Sequence, residues 1–296
     1  MKKNLTLTFV RGRVELAMNE LLMKILMPVV PKGDLSHWVG KFAQRKWPEP
    51  LNHIIIRKFA KAYNIDLDEA EKEIEDYDSL GNFFTRRLRP GIRPIGKGIL
   101  HPADAVIRTA GKIDSQKLLQ AKGKQYSCAE LLRNSHLAAE FEGGTFITYY
   151  LCPTDYHRVH SSVDGNIFWS CHVPGKFWPV NDWSVNNIPN LFAENERVVT
   201  VIDSIDHGRV ALVMVAATNV GNIEMFYDEN ICTNRRTAEQ RVHEHTYDPP
   251  KPVKKGDEIG MFKMGSTVIA LYGPGQIEDH GSFLVGQRTK VNAGFR

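Results

Sequence analysis

Residues 197–217, RVVTVIDSIDHGRVALVMVAA, decide the fold. Two runs rich in valine and isoleucine flank Asp206-His207-Gly208. β-Branched side chains suit a pleated, half-buried surface, and Asp and Gly suit the tight turn between strands. The stretch therefore predicts a β-hairpin. On its N-terminal side, Thr145–Leu151 (TFITYYL) and Asn166–Val173 (NIFWSCHV) have the same character. On its C-terminal side, Asn219-Val220-Gly221 predicts a turn into Asn222–Tyr227 (NIEMFY). The polar turn Lys254–Gly260 (KKGDEIG) then predicts one more strand, running from near Met261 through Thr267–Tyr272. Strands at intervals of about ten residues predict an antiparallel sandwich or barrel. Upstream, the acidic run Asp66–Asp78 (DLDEAEKEIEDYD) predicts a solvated helix, and Ser79–Arg89 (SLGNFFTRRLR) a short helix or capped turn. Pro90, Gly91, Pro94, Gly96 and Gly98 mark a loop before the β region. The fold class is α+β, with helices first and a predominantly antiparallel β domain after them.

The chain has 296 residues, 42% hydrophobic and 24% charged, which excludes global disorder. Its net charge of +4 is unevenly spread. Residues 1–61 hold twelve Lys or Arg against four Asp or Glu, a balance of +8, so the remainder carries −4. In that basic region, Val14–Val30 is apolar but interrupted by Glu15, Asn19, Glu20 and Lys24, and Pro28 and Pro31 end it. It reads as a short amphipathic helix, without the h-region and cleavage site of a leader or the length of a span. Leu35–Trp47 sets Trp38, Val39 and Phe42 at helical spacing beside Lys41, Arg45 and Lys46, and Ile54–Lys61 is again apolar and basic. One such helix would ordinarily pack on its own core. Three in succession with this charge point to an anionic membrane surface. No nucleic-acid motif accompanies the basic residues. These features predict a membrane-association region at 1–65 and a β-rich catalytic domain at 66–296, peripheral at the cytoplasmic face of the cell membrane. Cys128, Cys152, Cys171 and Cys232 match no zinc or redox spacing and read as reduced core thiols.

Three constellations carry possible chemistry. Asp155-Tyr156-His157-Arg158-Val159-His160 places two histidines three apart after a strand and a Pro-Thr-Asp turn, suited to acid–base work or to metal binding. A metal would need further ligands. His243-Glu244-His245 offers some, but no recognised spacing joins the two sets, so no metal is expected. His101-Pro102-Ala103-Asp104-Ala105 contains an Asp that by itself reads as a turn residue. Gly265-Ser266-Thr267 enters a strand and lacks the GxSxG context of a hydrolase elbow. Together they supply Asp, His and Ser, the parts that activate a hydroxyl. Spacing alone does not bring them together.

PAD at 102–104, YLCPTDYHRVH at 150–160, VPG at 173–175, NERV at 195–198 and FKMGSTVIALYGPG at 262–275 resemble, in order and spacing, the phosphatidylserine decarboxylase proenzymes of the bacterial, membrane-associated type. The resemblance extends to NFF-RRLRPGIRPI at 82–95 and covers nearly the whole chain. It implies a lyase of phospholipid biosynthesis that cuts its own backbone between Gly265 and Ser266. The matching triad is Asp104, His160 and Ser266, with His160 as general base and Asp104 orienting it. The products are a β subunit, 1–265, and an α subunit, 266–296, which begins with a pyruvoyl group made from Ser266. That group forms a Schiff base with the amine of phosphatidylserine, in place of pyridoxal phosphate, and the product is phosphatidylethanolamine. His157 assists this second reaction. The resemblance also implies that processed α/β units pair, although no interface is legible in the sequence.

Two positions depart from the family pattern. Met264 replaces a common Leu, a swap that conserves volume. Ala105 replaces a common Gly, which costs about 1 kcal/mol if that position needs a positive φ. Two other readings stay open. One is a serine hydrolase using the same triad without self-cleavage. The other is a non-catalytic, membrane-binding β module, since KKGDEIG resembles the hairpins of biotinyl and lipoyl folds.

Overall fold

The computed structural model describes residues 40–121, 123–218, 222–231, 233–234, 241–263, 266–277 and 285–295. The predicted helix at 14–30, residues 35–39 of the one at 35–47, the turn at 219–221 and Cys232 lie outside them, and residues 40–44 are helical. Helix α1 (Glu49–Ala62) buries Asn52, Ile56 and Ala60 on one side. Ile56 and Ala60 pack with Ile65, Ile74, Tyr77, Leu80 and Phe83 in a small core of their own. Ser79 caps α2 (Leu80–Phe84) by accepting from the Asn82 N–H at 3.2 Å, as the capped-turn reading predicts.

The acidic run at 66–78 is not a helix. It is irregular, with a single 3-10 turn at Ile74–Asp76. Ala70 forms an antiparallel bridge with Leu88, and the Glu71 and Arg89 amides donate to the Arg87 and Glu69 carbonyls at 2.9 Å. The cause is charge. The acidic side chains pair with the basic segment that follows, Glu73 with Arg89 and Glu69 with Arg93.

The strands follow in chain order: β1 (Ala105–Lys112), β2 (Lys117–Ala121) and β3 (Lys124–Ser127), then helices α3 (Cys128–Leu132) and α4 (Ser135–Glu140). Next come β4 (Thr145–Leu151), β5 (Arg158–His160), β6 (Gly165–Val173), α5 (Asp182–Asn187) and α6 (Leu191–Glu194). The rest are β7 (Arg197–Ser204), β8 (Gly208–Val215), β9 (Ile223–Met225), β10 (His243–Val253), β11 (Glu258–Phe262), β12 (Ser266–Tyr272) and β13 (Arg288–Thr289). The predicted hairpin is β7–β8, turned through Gly208 at φ 65°. Ala105 opens β1 without a positive φ, so its substitution for glycine carries no backbone strain.

The large sheet is antiparallel, in the order β10-β6-β7-β8-β12-β4-β1-β13. It is open and does not close into a barrel. Its last strand, β13, is two residues long, and the β10 ladder shifts register across Asp248-Pro249-Pro250, where proline has no N–H to donate. Cross-strand partners share a face. Tyr150, Thr267, Val215 and Arg197 form one row, and the Arg197 guanidinium reaches the Leu131 and Glu130 carbonyls of α3 at 2.7 and 2.6 Å. Helices and the β2–β3 hairpin cover that face. Tyr149, Val268, Met214 and Val198 form the next row, on the opposite face. There the small sheet β5-β11-β9 packs so closely that a Cβ on Gly260 would sit 2.7 Å from the Glu224 carbonyl and 3.2 Å from Met214 Sδ. The final predicted strand is therefore two strands. β11 belongs to the small sheet and β12 to the large one, and the chain changes sheet between Phe262 and Ser266.

Candidate active site

The site forms where β4 ends and β12 begins, with Leu151 in register with Ser266. Beyond Leu151, the Asp155 amide donates to the Cys152 carbonyl at 2.9 Å, and the Asp155 carboxylate accepts the Cys152 N–H at 2.8 Å. An Asp that closes its own turn is the local reason for the Pro-Thr-Asp bend. Arg288, the first residue of β13, forms an ion pair with the same carboxylate.

This turn delivers His157, which is fully buried. Its Nδ1 lies 2.8 Å from the Asp155 carbonyl. A carbonyl only accepts, so Nδ1 carries the proton and Nε2 presents a lone pair. Among the described residues Nε2 has no hydrogen-bond partner, and it is buried. The Phe84 ring lies against it, tilted by 43° with centroids 4.0 Å apart. Burial pushes the imidazole down to about 3, so His157 is neutral at physiological pH. Its own carbonyl accepts the Phe262 N–H at 3.0 Å, which anchors it four residues before Ser266.

His160 ends β5. Its Nδ1 donates to the Gly256 carbonyl at 2.7 Å, and Nε2 lies 3.1 Å from the Tyr156 hydroxyl, which also reaches Glu258 Oε1 at 3.3 Å. Burial lowers its pKa, against the opposing pull of the Gly256 carbonyl and the Glu258 charge. Glu258 is held in turn by Arg158 at 2.6 Å.

Asp104 makes no hydrogen bond to His160. The two segments are adjacent, since the His160 amide donates to the Pro102 carbonyl at 2.9 Å. The Asp104 carboxylate instead accepts Arg93 Nε at 3.1 Å and Nη2 at 2.5 Å, Lys290 Nζ at 3.3 Å and the Val291 N–H at 2.8 Å. Burial alone would raise this carboxyl, but the bonds and charge of Arg93 outweigh it and hold it below the usual range. The orienting role expected of Asp104 is occupied in this structure by the Gly256 carbonyl. Asp104 acts on His160 through its field, which favours the protonated ring. Gly265 lies outside the described residues, and Ser266 enters as the backbone position that opens β12.

Among the described residues, no group of His, Cys, Asp or Glu is arranged to hold a metal ion. His243 and His245 lie on β10, the edge strand, four strands from β12. Cys128 and Cys171 are buried free thiols, pushed up to about 12 and 11 by burial, and Cys152 is also free.

Several residues of the site were not singled out from sequence. Tyr156 sits inside the quoted histidine motif, Arg93 inside RPGIRPI, and Glu258 and Gly256 inside the KKGDEIG turn. Each lay in a marked segment, but only the fold pairs it with a partner up to 187 residues away, as Val291 is paired with Asp104.

Comparison with known proteins identifies the family. The family model described as phosphatidylserine decarboxylase matches residues 80–296. A phosphatidylserine decarboxylase proenzyme of Myxococcus xanthus (strain DK1622) is 43% identical over 263 residues, covering 88% of this chain and 92% of its own length. Proteins of the same name from Anaeromyxobacter sp. (strain K) and Aliivibrio fischeri (strain MJ11) are each 42% identical over 278 residues, covering 93% and 91% of this chain and 97% and 96% of their own lengths. The matched region contains both histidines, Asp104 with its arginine clamp, and the Gly-Ser pair at the change of sheet. On this evidence the chain belongs to the phosphatidylserine decarboxylase family.

Proposed function

We propose that this chain is a proenzyme that cuts itself between Gly265 and Ser266 and then converts phosphatidylserine to phosphatidylethanolamine and CO2. The position of Ser266 carries the reading. It opens the strand between β4 and β8, at the point where the chain leaves the small sheet, so a cut before it interrupts neither ladder.

In the first reaction His160 is the general base toward the Ser266 hydroxyl. With Nδ1–H fixed on the Gly256 carbonyl, Nε2 is the atom that takes the proton. Tyr156, now on Nε2, must yield to the serine. Asp104 favours the imidazolium that results. Ser266 attacks the Gly265 carbonyl, which has no Cβ beside it to block approach. An N→O acyl shift gives an ester. β-Elimination releases the Gly265 carboxylate, and hydrolysis with loss of ammonia leaves a pyruvoyl group at 266. The products are 1–265 and 266–296.

The residues present fit that group. Serine is its precursor, and His157 Nε2 is a buried polar atom with no partner among the described residues, on a segment tied to Phe262. The pyruvoyl carbonyl supplies an electrophile for the substrate amine and an electron sink for the loss of CO2. His157 holds or delivers a proton at Nε2, fixed in that tautomer by the Asp155 carbonyl. The adjacent Phe84 ring excludes water from it.

The N-terminal region docks the enzyme on the cytoplasmic face of the cell membrane. In support, α1 turns Leu51 and Ile54 outward, 43% and 50% exposed, on the same side as Lys58 and Lys61. No helix of the described residues is long and apolar enough to cross a membrane.

An intact-mass spectrum and a denaturing gel test the reading. The expected result is two fragments, the smaller without a free N-terminal amine, and a single uncut chain for Ser266→Ala. Active protein with one intact chain, or a normal serine amine at 266, sinks it. An intact chain labelled at Ser266 by a fluorophosphonate would support a serine hydrolase instead.

A further inference from the structure

Arg86 carries a charge that no carboxylate of the described residues pairs with, although its guanidinium lies over the Phe83 ring, 5.3 Å from the centroid. It lies two residues after α2 and is 4% exposed. Nη2 donates to the Thr154 carbonyl at 3.2 Å, while Nε and Nη1 are buried without a hydrogen-bond partner. The carboxylates near enough to act on it are engaged elsewhere: Glu69 and Asp104 with Arg93, and Asp155 with Arg288. Burial lowers its pKa, yet a guanidinium stays protonated in proteins. A buried cation without an anion is a costly arrangement. Buried donors left over in a native fold call for an explanation, and a missing ligand is one.

The neighbours set the chemistry of that ligand. His157, whose Nε2 is another buried polar atom without a partner among the described residues, follows Thr154 by three residues and lies against Phe84, two residues before Arg86. The Arg86 charge also acts on the His157 ring, so the two groups lie near one another.

We propose that Arg86 binds the phosphodiester of the phospholipid substrate, an inference that rests on the function proposed above. The alternative anion on that substrate is the carboxylate. A carboxylate that departs as CO2 loses its charge in the transition state. A guanidinium bonded to it would stabilise the ground state more than the transition state and slow the reaction. The phosphodiester keeps its charge from substrate to product. A guanidinium with donors still free at Nε and Nη1 suits the oxygens of such an anion.

The product makes the two anions separable, because it retains the phosphodiester and has lost the carboxylate. The test measures inhibition of the processed enzyme by glycerophosphoethanolamine, a soluble phosphodiester without a carboxylate, in wild type, Arg86→Met and Arg86→Lys. A charged hydrogen-bonding pair lost at a buried site weakens binding by roughly 10- to 100-fold. The expected result is a rise of that size in the inhibition constant for Arg86→Met and a smaller one for Arg86→Lys. The KM for phosphatidylserine rises in parallel, and kcat moves by less than about threefold. The melting temperature of unliganded Arg86→Met stays level or rises, because an uncompensated buried charge has gone; a purely structural arginine would lower it. An inhibition constant that does not move, or a phosphodiester that does not compete even with wild type, overturns the assignment. A change in kcat with unmoved phosphodiester inhibition points to the carboxylate and also overturns it. Wild-type protein that neither cleaves itself nor releases CO2 defeats the proposed function itself, a distinct result.

Discussion

Replacing Arg93 with Met should expose how the site holds a buried carboxylate. The Arg93 side chain is 9% exposed and that of Asp104 4%. Two hydrogen bonds, at 3.1 and 2.5 Å, join them, and two more, at 3.0 and 2.6 Å, tie the guanidinium to Glu69. Opposite charges about 4 Å apart at an effective dielectric constant near 20 attract by about 4 kcal/mol. Removing one partner of a buried pair costs about 3–5 kcal/mol, since the survivor stays buried. Lys290 Nζ, at 3.3 Å, remains beside Asp104, but it is 58% exposed. Solvent screening limits its compensation to about 1 kcal/mol or less. The expected net loss is about 3 kcal/mol, a fall in melting temperature of about 6–12 °C at 2–4 °C per kcal/mol.

The assay is thermal and urea unfolding of Arg93→Met in the uncleaved Ser266→Ala background, so that both proteins are single chains. Acid supplies a second reading. With Arg93 present, the depressed carboxyl contributes stability above its unfolded pKa of about 3.9, lost as pH falls through the lower folded value. Without Arg93, burial raises the folded pKa, and the ionised carboxyl destabilises the fold until protonation relieves it. The gap between the two proteins is therefore widest near neutrality and narrows as pH falls toward 4. A loss under about 1 kcal/mol, or a gap that ignores pH, would refute the account of Asp104 as a buried anion held by Arg93.

Four further outcomes are expected. His157→Gln should leave self-cleavage intact while the rate of CO2 release from the processed enzyme falls at least about 100-fold, within the usual range for a lost proton-transfer group. Because burial holds His157 near 3, the wild-type kcat profile should show no inflection from it between pH 5 and 8. Fragments 1–265 and 266–296 should elute together on gel filtration and separate only in denaturant, because β12 lies between β4 and β8 with Val268–Tyr272 fully buried. Deleting residues 1–48 should release the enzyme from anionic vesicles, and undiminished flotation with liposomes would count against the basic foot.

The central strands β4, β6, β7 and β8 were legible because each keeps its pattern locally, whereas β1, β2, β3, β5, β10 and β13 were not read from the sequence. TFITYYL is β4 residue for residue, and the runs around Asp206-His207-Gly208 are β7 and β8 to within two residues. What failed depended on distant partners. Asp66–Asp78 has helical composition, but its carboxylates meet Arg89 and Arg93, and its backbone bridges to Leu88. Met261 through Tyr272 reads as one apolar strand, yet its halves enter different sheets, a choice made by packing at Gly260 and by register with Leu151.

The same division runs through the site. The chemical parts follow from residue identity alone: a serine after a glycine, two histidines three apart and an aspartate, in an order that resembles one family. Their states do not. The neutral His157 tautomer depends on the Asp155 carbonyl, and the orientation of His160 on Gly256, 96 residues away. The ionised state of Asp104 depends on Arg93 and on Lys290, which the proposed cut would place on a separate chain. Strand propensity and reactive groups belong to the local sequence. Burial, tautomer and charge are set by which distant groups exclude water from one another, and only the folded chain decides that.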